Sequence, residues 1–226
     1  MKKIILEFNN VHFGEASGSE VCMAGATFAL AEGELALVEM PAEYTLDSLA
    51  DLASGLVDPE QGSVRFEGTG WPARNPDQAS AARSRIGRVF DGPGWISNLD
   101  VDENITLTAR YHGQMADDQA YAEAQTLARR LGLSDLPPGR PSHIARAELR
   151  RAEWVRALLG PRSLVLLQQP LRDLPRAWGA ALLAEIERQR ASGVAFVWMQ
   201  PWGDYPATPL KPTLHFSVEN GNILCT

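Results

Sequence analysis

The sequence predicts an α/β domain, and three observations carry that prediction. Two runs of the buried-strand type, "SLVLLQQ" (163–169) and "VAFVWMQ" (194–200), each follow a stretch with helical periodicity. The first third is a succession of short β-type runs broken by Gly, Ser, Asn and Glu. Within it, a strand, a short loop, a helix and a further strand follow in the order of half an α/β unit.

The elements can be justified in chain order. "KIILEFNNVHF", "CMAGATFAL", "GELALVEM" and "GSVRFEG" read as strands, because apolar and β-branched residues cluster between turn-forming ones. Between the last two, "AEYTLDSLADLASGL" repeats Leu46, Leu49 and Leu52 at helical spacing and ends at Gly55, a residue suited to a helix stop. A polar patch with Pro72 and Pro76 follows. "RIGRVF" is then a short strand running into the joint "DGPGW". From about Val101 to Leu133 the pattern is helical, with Ala124, Leu127 and Leu131 on one stripe that reads as core. "DLPPGRP" breaks the chain and "IARAELRRAEWVRALLG" resumes helix. After 163–169, "PRAWGAALLAEIERQRASG" places Trp178, Leu182 and Ile186 on one face. The ending, "TLHFSVENGNILCT", reads as a hairpin about Asn220 and Gly221. There is no internal repeat and no low-complexity linker.

Composition narrows the function classes. A length of 226 residues with 45% hydrophobic content fills a sizeable core. A formal charge of -7 argues against a nucleic-acid surface, which needs clustered Lys and Arg. Cys22 and Cys225 are too few for a disulfide framework or a zinc site, so they read as packing thiols in a reducing compartment. The four histidines, His12, His112, His143 and His215, lack metal-ligand spacing. The apolar run Ile4 to Leu6 is too short for a signal peptide, and no run approaches the ~20 residues that span a bilayer. The expectation is a cytoplasmic chain without direct membrane insertion.

One strand ends oddly. "LVLLQQPLRDL" (164–174) is built like a strand that delivers polar groups to a site, yet it delivers two amides, Gln168 and Gln169. An amide hydrogen-bonds well but cannot serve as acid or base near neutral pH.

The order of elements resembles the ATPase subunit of ATP-binding-cassette (ABC) transporters over essentially the whole chain. "SGLVDPEQGSVRFEG" is similar to the segment after that family's phosphate-binding helix, "RIGRVF" and "VDENI" to the flanks of its Gln loop, and "VRALLGPRSLVLL" to the approach to its Mg-binding strand. The resemblance implies a P-loop type fold with a mixed central sheet, an antiparallel N-terminal β part and an inserted helical lobe. It implies one domain over 1–226, with 1–90 and 160–226 as the core lobe and about 91–145 as the helical lobe.

The resemblance also assigns positions, and the residues at those positions depart from its pattern. The phosphate loop falls on "MPAEYTLD", Met40 to Asp47. Thr45 resists positive φ, Pro41 has no N–H, and Leu46 stands where the lysine would be. Glu43 and Asp47 are expected to cap the helix start themselves and repel phosphate. Gln168 falls on the Mg-binding aspartate, Gln169 on the catalytic glutamate, Asp91 on the Gln-loop glutamine and Gln200 on the switch histidine. Ile144, Ala145, Arg146, Ala147 and Glu148 fall on the signature, Leu171 to Pro175 on the inter-subunit loop, and Phe13 on the adenine-stacking aromatic.

From these departures the expectation is a pseudo-ATPase: not an enzyme, with no cofactor and no metal. Its implied partners are an integral-membrane permease and, as homodimer or heterodimer, another ABC ATPase-like subunit. The surviving function is expected at a docking surface formed by Asp91, Trp95, Ile96, Leu99 and Val101, which would hold the chain peripherally on the inner face of a membrane. The compact length resembles small Mla/Mce-type ATPases and implies lipid transport. Two alternatives stand beside this reading, an atypical nucleotide-binding ATPase or sensor and a soluble regulator without a membrane partner.

Overall fold

The computed structural model describes residues 2–14, 23–41, 46–92, 94–203, 211–219 and 222–225. The predicted positions Cys22, Glu43, Thr45, Asn220 and Gly221 lie outside them.

Two sheets form the frame. Strands β1 (Ile4–Phe13), β2 (Met23–Ala31), β4 (Gln61–Phe66) and the short β5 (Thr69–Gly70) make an antiparallel sheet in the order β2-β1-β4-β5. Strands β3 (Leu35–Met40), β6 (Ile86–Val89), β7 (Leu164–Gln168), β8 (Ala195–Pro201), β9 (Leu214–Glu219) and β10 (Asn222–Cys225) make a second, in the order β10-β9-β3-β8-β7-β6. Its neighbours pair in parallel except β10, which pairs antiparallel with β9 as the predicted terminal hairpin.

The buried strands alternate strictly between two cores. Ala36, Val38, Leu164, Leu166, Ala195, Val197 and Met199 face the first core, with β1, β2, β4 and α1 (Asp47–Ser54). Leu35, Leu37, Val165, Leu167, Phe196 and Trp198 face the second, with α3 (Val101–Tyr111), α4 (Asp117–Arg130), α5 (Arg146–Leu158) and α6 (Gly179–Ala191). This is the period-two consequence of a sheet covered on both faces, which is why these strands read as continuous apolar runs.

Two glycines are required by close approach. Gly55 caps α1 in the left-handed region (φ 62°), and a Cβ there would lie 2.2 Å from Cδ2 of Trp71. Gly87 lets α5 cross β6 so closely that a Cβ would lie 1.8 Å from the Ala157 carbonyl oxygen.

Three helical expectations change. The stretch 101–133 is two helices, α3 and α4, reversed at His112–Ala116, so that Val101, Ile105 and Ala109 and then Ala120, Ala124 and Leu127 are all buried. The polar patch holds α2 (Pro76–Arg83), started by Asn75 and Gln78, each side chain bonding the other's backbone N–H at 2.9 and 3.0 Å. Trp178 precedes α6 and leaves its stripe: it is 39% exposed and lies under the Arg151 guanidinium at 4.4 Å, whereas Leu182 and Ile186 are fully buried.

Candidate functional site at the strand tips

Because β3, β6, β7 and β8 run parallel, their carboxyl ends share one edge, where open α/β sheets present ligand sites. Topology alone therefore brings Met40, Asp91, Gln168 and Gln200 to the same rim.

At that rim an unforeseen residue organises the site. Arg88 of β6 sends Nε to Gln168 Oε1 (2.7 Å), Nη1 to Asp51 Oδ1 (2.5 Å) and Nη2 to Asp47 Oδ1 (2.8 Å). Gln168 closes the ring, donating Nε2 to Asp47 Oδ1 at 2.8 Å. The Arg88 side chain is 9% exposed and Gln168 is fully buried, so these charge-assisted bonds act in poor solvent contact; Asp47, at 54%, marks the open side. The expectation for Asp47 is thereby changed: its carboxylate, in the first turn of α1, reaches across to β6 and β7. The side chains of Leu46 and Met40 are buried in the first core, so Met40 reaches the rim by its backbone alone. The three oxygens facing Arg88 are hard donors, but with the guanidinium among them the donor set does not fit a divalent cation. Among the described residues there is no cluster of three or more His, Cys, Asp or Glu able to hold a metal ion.

A second set of contacts ties the strand tip to the joint. Gln169 takes the left-handed region (φ 42°), uncommon for a residue with a side chain, and is held there from several directions. Its N–H donates to the Met199 carbonyl (2.8 Å), its Nε2 to Asp91 Oδ1 (2.9 Å), and its carbonyl accepts from Arg150 Nη2 (2.6 Å). Arg172 adds Nη1 to the same Asp91 oxygen at 2.6 Å. Arg150 also donates to the Phe90 carbonyl (2.9 Å) and pairs with Glu153 (2.6 Å), so one buried guanidinium joins α5, the end of β6 and the tip of β7.

Gln200 belongs to a third, buried chain. Trp198 Nε1 donates to Gln200 Oε1 (2.7 Å), Gln200 Nε2 to Glu39 Oε1 (3.3 Å), and Glu39 Oε2 meets His215 Nε2 at 2.7 Å. Glu39 and Gln200 lie opposite each other in the β3–β8 register.

The expected docking residues divide. Ile96 is 44% exposed, Leu99 is half-buried, and Trp95 packs against the second core under the Arg156 guanidinium at 4.6 Å. Burial pushes the Arg156 guanidinium below its ordinary pKa. Val101 is fully buried as the first residue of α3 and presents no surface, which removes it from the docking set. Buried Asn104 fixes the joint: its Oδ1 accepts from the Ile96 N–H (2.8 Å) and its Nδ2 donates to the carbonyls of Ile96 and Leu99 at 3.1 and 3.2 Å. Beyond it, Leu107 and Tyr111 are exposed on α3. Arg146, at the start of α5, pairs with Asp173 at 2.8 Å, and Phe13 packs partly buried against the first core.

Sequence reasoning missed Arg88, Arg150, Glu39 and Asn104. One signal was available: a carboxylate in the buried run "LALVEM" requires a partner.

The ABC transporter family model matches residues 48–172, more than half of the chain, from α1 past the tip of β7. The chain belongs to the ABC transporter family. It is 26% identical over 186 residues to the macrolide export ATP-binding/permease protein MacB 1 of Aeromonas hydrophila, covering 81% of this chain and 28% of that protein. It is 24% identical over 177 residues to HrtA of Staphylococcus epidermidis, named as a hemin import ATP-binding protein, covering 78% and 79%. Among solved structures, a dimeric bacterial ABC transporter cassette superposes with a TM-score of 0.84 at 18% identity, covering 97% and 96%. The chain spans under a third of the length of the MacB relatives it matches. Cassettes of this family dimerise and work with membrane permeases, and no helix among the described residues is long and apolar enough to cross a membrane.

These matches overturn one expectation outright. The expectation that the chain is not an enzyme is corrected by its family: it groups with ABC ATPases, and its relatives are ATP-binding proteins of transporters.

Proposed function

We propose that this chain is the ATP-binding subunit of an ABC-type transporter, working from the cytoplasmic side of an integral-membrane permease that docks on the joint at 91–99. The observation that supports the docking is the direct bond between Gln169 at the tip of β7 and Asp91 at the entrance to the joint. A partner seated on exposed Ile96 is a few residues from the strand tips, and Asn104 holds that segment in one shape before the partner arrives. The permease is a further segment of the same polypeptide, as the name of MacB implies for that protein, or a separate chain. Lipid cargo is part of the same proposal on the resemblance to Mla/Mce-type ATPases alone; MacB and HrtA are named for macrolide and hemin.

Under this reading nucleotide meets the rim at α1 and the tips of β3 and β7. A phosphate reaching the start of α1 would have to draw Arg88 from Asp47, and Asp47, more than half exposed, has room to move. The test of docking is membrane co-fractionation of Ile96→Asp against wild type, with circular dichroism confirming the fold. We expect the variant to leave the membrane fraction; equal association of the two folded proteins would move the docking surface elsewhere. Truncating or reversing a central apolar contact typically costs ~2 kcal/mol of binding.

A further inference from the structure

Asp47 and Asp51 stand one turn apart on α1, a spacing that puts both carboxylates on the same side of the helix, where like charges repel. Beside them the fully buried Gln168 presents an amide oxygen that needs a donor. Something positive has to stand among these three oxygens, and strand alternation decides what it is. Ile86 of β6 packs on the first core, the side on which α1 lies, so Arg88, two positions on, projects to that side while Val89 enters the second core. Its three guanidinium nitrogens take one oxygen each, from Gln168, Asp51 and Asp47, and its face lies over the Phe90 ring at 4.6 Å.

We propose that Arg88 is the built-in cation of this rim: it fills the position a divalent ion would take among Asp47, Asp51 and Gln168, and the phosphates of a nucleotide bound here take their counter-charge from its guanidinium, so that binding needs no divalent metal. That nucleotide meets this rim rests on the cassette reading above; the cation does not. A guanidinium stays charged at any pH at which the chain is folded and carries its donors in a fixed plane, so its three bonds hold it in one place. A phosphate oxygen that displaces the carboxylate of Asp47, more than half exposed, gains Nη2, while Asp51 and Gln168 keep the group in position through Nη1 and Nε. Without the guanidinium, two facing carboxylates and an amide oxygen remain. Those are hard donors, and a divalent ion that keeps several of its waters needs only one or two carboxylates.

The experiment reads metal and nucleotide binding on the same proteins. Mn²⁺ binding is followed by electron paramagnetic resonance of the free ion. Wild type is expected to hold no Mn²⁺ at the rim, so that Asp51→Asn leaves its binding curve unchanged. Arg88→Ala, with its fold checked by circular dichroism, is expected to gain one site roughly tenfold tighter than the wild-type background, and a further Asp51→Asn to remove it. Arg88→Lys keeps a charge and is expected to gain none. ATP affinity is then measured by calorimetry in excess Mg²⁺ and in EDTA. Wild type is expected to bind no more weakly in EDTA, whereas Arg88→Ala is expected to weaken roughly tenfold in EDTA and to recover with Mg²⁺. A wild-type Mn²⁺ site lost in Asp51→Asn, a wild-type ATP affinity that needs Mg²⁺, or a folded Arg88→Ala that gains no Mn²⁺ would each overturn the proposal. If Arg88→Ala does not fold, the two wild-type measurements still decide. ATP bound by wild type in neither buffer would count against the cassette reading, and the Mn²⁺ curves would then decide the cation alone.

Discussion

Gln169 Nε2 donates to Asp91 Oδ1 at 2.9 Å, joining the tip of β7 to the segment that leaves β6. The same oxygen accepts from Arg172, so one carboxylate holds an amide and a guanidinium that both belong to the turn after β7. Replacing it as Asp91→Ala leaves both donors without that acceptor and relaxes the left-handed backbone at Gln169. Asp91 and Arg172 are each about a third exposed, so screening limits the loss to about 1 kcal/mol. The expected outcome is a lower urea midpoint at unchanged m-value, with faster amide exchange at 169–174; an unchanged exchange pattern would show that Asp91 does not hold the turn.

Arg88 makes the larger contribution. Arg88→Met keeps the length of the side chain but leaves Asp47 and Asp51 facing each other and buried Gln168 without one of its partners. Breaking an ion pair with one buried member costs up to several kcal/mol, and the exposure of Asp47 lowers the expectation to about 2 kcal/mol. A double-mutant cycle with Asp51→Asn checks it. If Arg88 and Asp51 act together, the double variant loses less than the sum of the two singles by about 1 kcal/mol; strict additivity would count against the ring.

Glu67 sets an acid limit. Burial by itself raises its carboxyl pKa, but hydrogen bonds from Ser163, Arg85 and Lys3 outweigh that effect and hold it below the usual carboxylate range. A folded-state pKa below the unfolded value means that the contribution is fully present above the unfolded pKa and is lost as pH falls through the folded one. Thermal midpoints measured from pH 7 downward should therefore fall more steeply for wild type than for Glu67→Gln, with the two curves converging in acid. Parallel curves would contradict this assignment.

How much of this was legible in the sequence depends on the range of the interaction. Strand periodicity, the stop at Gly55 and the terminal hairpin are local, fixed by residues a few positions apart, and the family landmarks around them kept their order; these determined the fold class and placed Met40, Asp91, Gln168 and Gln200 at one rim. The break of 101–133 into two helices was not legible, because helical periodicity persists through both halves and only the need of both stripes for the same core turns the chain at His112–Ala116. The site's contents lay further still from local reading. Arg88 meets Gln168 across 80 positions and Glu39 meets Gln200 across 161, distances in sequence that only the strand order β3-β8-β7-β6 closes. A sequence names the groups that need partners; which partner each receives is decided by which strands become neighbours, since a hydrogen bond or an ion pair acts over a few ångströms in space, whatever the separation along the chain.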